Sequence, residues 1–98
     1  MAQHDKAKIE ENAVRITNWL VDNSTEFEKS GVSEESLAGA AEMSAEQATT
    51  AVDRLENTEV VVRDPIALTR PPRFQVKPGR NWPPTRDKLV AARAAKSA

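Results

Sequence analysis

Ninety-eight residues with no cysteine, 39% hydrophobic and 30% charged, suffice for one modest core and exclude disulfides, thiol catalysis and a thiolate metal site. No apolar run approaches the ~20 residues of a membrane span, and the N-terminal MAQHDKAKIEEN lacks the apolar stretch of a secretory signal, so a cytoplasmic protein without membrane contact is expected. The net charge of −1 conceals a sorting along the chain: residues 1–56 carry five basic against twelve acidic side chains, and residues 57–98 carry nine against three. Such asymmetry predicts either a basic surface for a polyanion or acidic helices and a basic tail that attract each other.

In chain order, residues 5–22 read as a helix, with Ile9, Ala13, Ile16 and Leu20 at helical spacing and Val14, Trp19 and Val21 widening the stripe. Asp5 is its candidate N-cap. NSTEFEKSG, Asn23 to Gly31, reads as a turn-rich link in which Phe27 tucks onto the core. Gly31, Val32 and Ser33 predict a very short extended segment. Ser33 then caps a second helix that carries Glu34 and Glu35 in its first turn and ends near Glu42. Ser44 and Gln47 form a capping box, so a third helix starts at about Ala45 with Ala48, Ala51, Val52 and Leu55 on one side. Asn57 is expected to close it in the left-handed conformation. Glu59 to Arg63 is a β-branched strand and Arg73 to Lys77 its antiparallel partner. Between them Asp64 to Pro72 is a protruding loop stiffened by Pro65, Pro71 and Pro72. PGRNWPPT, from Pro78, reads as neither helix nor central strand. Thr85 to Ala98 is Ala-rich and basic, and is expected to be helical only in part.

Helix, short extended segment, helix, turn, helix, strand, basic loop, strand is the element order of the winged helix-turn-helix superfamily, which this chain resembles over roughly residues 7–77. Leu37, Ala38, Ala41, Met43, Ala48, Val52 and Leu55, followed by VVVR and RFQV, carry the likeness. Met43 supplies the apolar residue that seals the turn, while Glu42 stands where the motif usually has Gly. The resemblance implies an α+β fold of three helices and a small antiparallel hairpin, a winged-helix domain over 5–77 followed by a Pro-rich break and basic tail over 78–98. It also implies that the third helix enters the major groove of duplex DNA while the loop contacts phosphate or the minor groove. RPPRF resembles the paired prolines of Z-nucleic-acid readers. Their third-helix Asn and Tyr are replaced by Thr49 and Asp53, which argues against that narrower likeness.

Placing Ala48 and Leu55 inward turns Glu46, Thr50, Asp53 and Asn57 outward, with Thr49 on one flank and Gln47 and Arg54 on the other. The candidate nucleic-acid contacts are therefore Gln47, Thr49, Thr50, Arg54 and Asn57 on the helix, and Arg63, Arg70, Arg73, Lys77 and Arg80 around the loop. Two carboxylates beside that helix oppose phosphate. The primary expectation is a small DNA-binding regulator or accessory factor. The alternative is an interaction module whose acidic helical face receives a basic protein. Trp82 is read as anchoring the tail on the core or on a second copy, which makes a homodimer through the tail a further expectation. Catalysis, a metal and a cofactor are not expected: the lone His4 is terminal, and Gly31, Gly39 and Gly79 make no phosphate-binding loop.

Overall fold

Ala13, Ile16 and Leu20 are fully or nearly fully buried and form the inner stripe of the first helix, α1 (Lys6–Asp22). The computed structural model describes residues 6–66 and 73–97; Asp5, expected as the N-cap of α1, lies outside them. Val21 is buried and Trp19 packs partly buried against the core, but Val14 is 49% exposed. It stands one residue round from Ala13, beyond the strip of α1 that the helix over residues 45–57 covers.

Asn23 to Gly31 is not an irregular link. Ser24–Ser30 form a short helix, α2, because Phe27 buries completely and Glu26 and Lys29 sit at the helix ends that suit their charges. Gly31 ends it at φ 78°, and its amide donates to Phe27 O at 2.9 Å. Strand β1 (Val32–Ser33) follows, and the Ser33 hydroxyl accepts from the Ser36 amide at the start of α3 (Glu34–Ala40).

The turn after α3 keeps its geometry without glycine. Glu42 takes φ 56°, Met43 N–H donates to Ala38 O at 3.0 Å, and Glu42 N–H donates to Gly39 O at 3.3 Å. These are the two bonds of a Schellman closure. Ser44 and Gln47 then exchange both capping-box bonds at the head of α4 (Ala45–Asn57). A second closure of the same kind ends α4, with φ 62° at Glu59 rather than at Asn57. The helix runs on through Asn57 so that the Val60 amide can reach Leu55 O at 2.9 Å while the Val60 side chain is buried.

Strand β2 (Val61–Ile66) extends into the expected loop, pairing Asp64, Pro65 and Ile66 with Gln75, Phe74 and Arg73 of β3 (Arg73–Pro78). Pro65 is tolerated because the sheet order β1-β3-β2 leaves β2 at an edge. Pro71 and Pro72 lie outside the described residues.

The Pro-rich segment also differs from expectation. Gly79 lies against the end of α4, where a Cβ would come within 2.4 Å of Glu59 O, and its amide donates to Val60 O at 2.9 Å. Asn81 bonds Glu59 O and Thr58 O through its backbone and side chain. Helix α5 then spans Trp82–Ser97 with Pro83 and Pro84 in its first turn, where backbone N–H groups have no helical partner to lose. Trp82 is 1% exposed and meets Phe27 edge-on at 4.8 Å. The described residues thus form five helices with a small three-stranded antiparallel sheet, an α+β fold. Ile16, Leu20, Phe27, Leu37, Val52, Val61, Val76 and Trp82 fill its centre.

Candidate interaction surface

Burial of Ala48, Ala51, Val52 and Leu55 leaves the opposite side of α4 to the solvent. Most of the polar groups there are already bonded within the molecule. Gln47 Oε1 accepts from the Ser44 amide, the Thr49 hydroxyl donates to Glu34 at 3.0 Å, and the Thr50 hydroxyl donates to Glu46 O at 3.0 Å. Arg54 pairs with Glu10 of α1 at 2.9 Å, and Asn57 is exposed at the end of α4.

Arg63 draws the hairpin onto the helices. Its guanidinium is only 14% exposed and bonds Glu34 (2.5 Å), Asp53 (2.5 Å), Glu56 (3.0 Å) and the Thr49 carbonyl (3.0 Å). Burial pulls its pKa down, and the hydrogen bonds it donates to Glu34 and Asp53, with their negative charge, outweigh this, so the net shift is upward. A planar fork of five donors suits this role. Arg63 lies two residues from Val61 on the same face of β2, opposite the buried Val76, and that alternation is the sequence signal for an inward arginine. Its partners Glu34, Asp53 and Glu56 were not among the residues singled out from the sequence as contacts.

The other candidate cations are also paired where their side chains are described. Lys77 meets Asp64 at 2.7 Å and Arg80 meets Glu59 at 3.3 Å. Arg73 opens β3 opposite Ile66, and Arg70 lies outside the described residues. On α5, Arg86 binds Glu28 at 2.7 Å and Arg93 binds Asp22 at 2.5 Å. The acidic first half of the chain and its basic second half therefore meet inside one molecule.

The α3–turn–α4 surface is acidic on balance. Residues 34–57 hold six carboxylates and one cation, Arg54; Glu34, Asp53 and Glu56 gather on Arg63, and Glu35, Glu42 and Glu46 stand outside that cluster. Beside Glu34 and Glu35, the half-exposed Ile66 and Phe74 line a shallow depression. On another flank of the same N-terminal half of α4, a groove of about 310 Å³ runs between Ser44, Gln47 and Thr50 and the N-terminal half of α1. Asn12 of α1 lines that groove at 3% exposure, and its Oδ1 has no hydrogen-bond partner. An unsatisfied buried acceptor of this kind costs roughly 1–3 kcal/mol.

Among the described residues no group of His, Asp and Glu side chains is arranged to hold a metal ion, and no helix is long and apolar enough to cross a membrane. Comparison with protein-family models, with curated proteins and with solved structures found no match to this chain.

Proposed function

We propose that this chain is a winged-helix-type interaction module whose acidic α3–turn–α4 surface receives a basic protein. The element order and the pairing of β1 with β3 support the winged-helix reading. One observation carries the choice of partner: Arg54, Arg63, Lys77 and Arg80, four of the cations expected to meet phosphate, are bonded to carboxylates of the same chain. Phosphate contact would have to break those pairs and bring the six carboxylates of residues 34–57 against a polyanion without gaining counterion release. A basic protein meets the same surface with complementary charge, and Ile66 and Phe74 offer it an apolar anchor beside an acidic rim.

The test is a paired anisotropy titration of a basic peptide and a random duplex DNA at low and moderate salt. The parent binds the peptide in a salt-sensitive way and does not bind the duplex. Changing Glu35, Glu42 and Glu46 together to Gln lowers peptide affinity, chiefly through slower association, with circular dichroism showing that the fold is retained. Duplex binding by the parent, unaffected or strengthened by those three changes, would overturn the proposal in favour of a DNA-binding protein.

A further inference from the structure

Where α1, the end of α4 and α5 meet, a groove of about 380 Å³ opens on the surface, lined by the apolar side chains of Ala13, Leu55, Val60 and Leu89. Leu89 is only partly buried against the core. Three threonines also border the groove, and each hydroxyl donates its proton to a backbone carbonyl three or four residues back: Thr17 to Ala13 O at 2.7 Å, Thr58 to Leu55 O at 3.2 Å and Thr85 to Asn81 O at 2.7 Å. A hydroxyl has one proton to give, so none of the three has a donor left for a polar ligand. The groove therefore suits an apolar occupant. Its rim carries both signs of charge: Glu10 pairs with Arg54 at 2.9 Å, and Lys88 of α5 stands exposed. A polyanion would meet Glu10 there, and a polycation would meet Arg54 and Lys88. Val14, 49% exposed, stands on the same rim with Glu10 and Asn18 one turn to either side.

We propose that this groove is filled by Val14 of a second copy of the chain, so that α1 and α5 form the interface of a two-fold dimer. An apolar ridge beside its own groove is what a two-fold axis requires, because each copy lays its ridge in the other's groove and every contact is made twice. The charges agree with this occupant. Glu10 and Glu11, both exposed and one turn before Val14, come up to the α5 of the other copy, where Lys88 supplies the opposite sign. The groove lies at the C-terminal end of α4, the opposite end from Glu42 and Glu46, and the dimer stands independently of the reading of the acidic surface.

The experiment follows the mass of the full chain by sedimentation across a concentration series. The parent passes from the mass of one chain to that of two as concentration rises. Val14→Asp stays at the mass of one chain with unchanged circular dichroism, because a half-exposed helix position tolerates a carboxylate and the centre of an apolar contact does not. Lys88→Glu weakens association roughly tenfold, since two contacts are reversed in each dimer. In a mixture of ¹³C-labelled and unlabelled chains, isotope-filtered NOEs run from the Val14 methyls of one copy to Leu89 of the other, and these decide the matter in the parent should Val14→Asp misfold. A parent that stays at the mass of one chain up to millimolar concentration overturns the dimer. Dimers that form equally well with Val14→Asp, or that show no such NOE, overturn this interface. Association unchanged by Lys88→Glu overturns the pairing of α1 with α5.

Discussion

Glu28 fastens the C-terminal helix through two donors: it accepts from the Trp82 indole N–H at 2.7 Å and from Arg86 at 2.7 Å, and these bonds hold its carboxyl below the usual carboxylate range. A carboxylate whose folded pKa is depressed stabilises the fold above its unfolded pKa, and that stabilisation is lost as pH falls through the lowered folded value. Glu28→Gln should therefore lower the melting temperature at neutral pH and flatten its decline on the acid side. Melting curves for parent and variant that stay parallel from neutral to acid pH would contradict this role. Other single residues differ in how far the sequence reveals them. Glu42 was readable only as a departure, since it stands where the helix-turn-helix pattern usually has Gly; the backbone takes φ 56° there all the same. Arg63 was readable only as a charge. Its carboxylate partners lie 7, 10 and 29 positions away, and only the packed fold brings them to one guanidinium.

At the scale of elements, those built by local rules were the ones foreseen. The Ser44–Gln47 box, the Ser33 cap and the apolar stripes of α1 and α4 depend on neighbours within one or two turns. Helix α2 was missed and α5 was foreseen only in part, from Thr85 onward, because their support is tertiary. α2 is seven residues of modest propensity held by the burial of Phe27, and α5 begins at two prolines that read as a break until Trp82 is seated beneath them. Trp82 thereby turns a basic tail into part of the core, and its removal is the sharpest test at this scale. Trp82→Ala should cost about 3–5 kcal/mol, a large share of a small domain's stability, and should abolish the helical signal of residues 82–97. A loss under about 1 kcal/mol, which is the range of surface changes, would show that α5 is dispensable to the core.

Over the whole molecule, the sorting of charge along the chain finds its explanation in contacts between its halves. Arg63, Arg86 and Arg93 from the basic half reach Glu34, Glu28 and Asp22 from the acidic half. The exposed pairs of Arg86 and Arg93 contribute little each and weaken with salt, whereas the Arg63 cluster, 14% exposed, is screened less. Their larger consequence is for recognition. Each neutralises a cation that a polyanion would otherwise have met, and with Arg63 counted beside Arg54 the six carboxylates of residues 34–57 still leave a surplus of four negative charges. Where a partner lands separates the two readings of this surface. An arginine-rich peptide added at low salt to the ¹⁵N-labelled chain should move the backbone amides of residues 34–57 and of the facing half of α1, while duplex DNA moves none. Shifts on adding duplex DNA that gather on Arg63 to Ile66 and Arg73 to Arg80, with α3 and α4 silent towards the peptide, would contradict it.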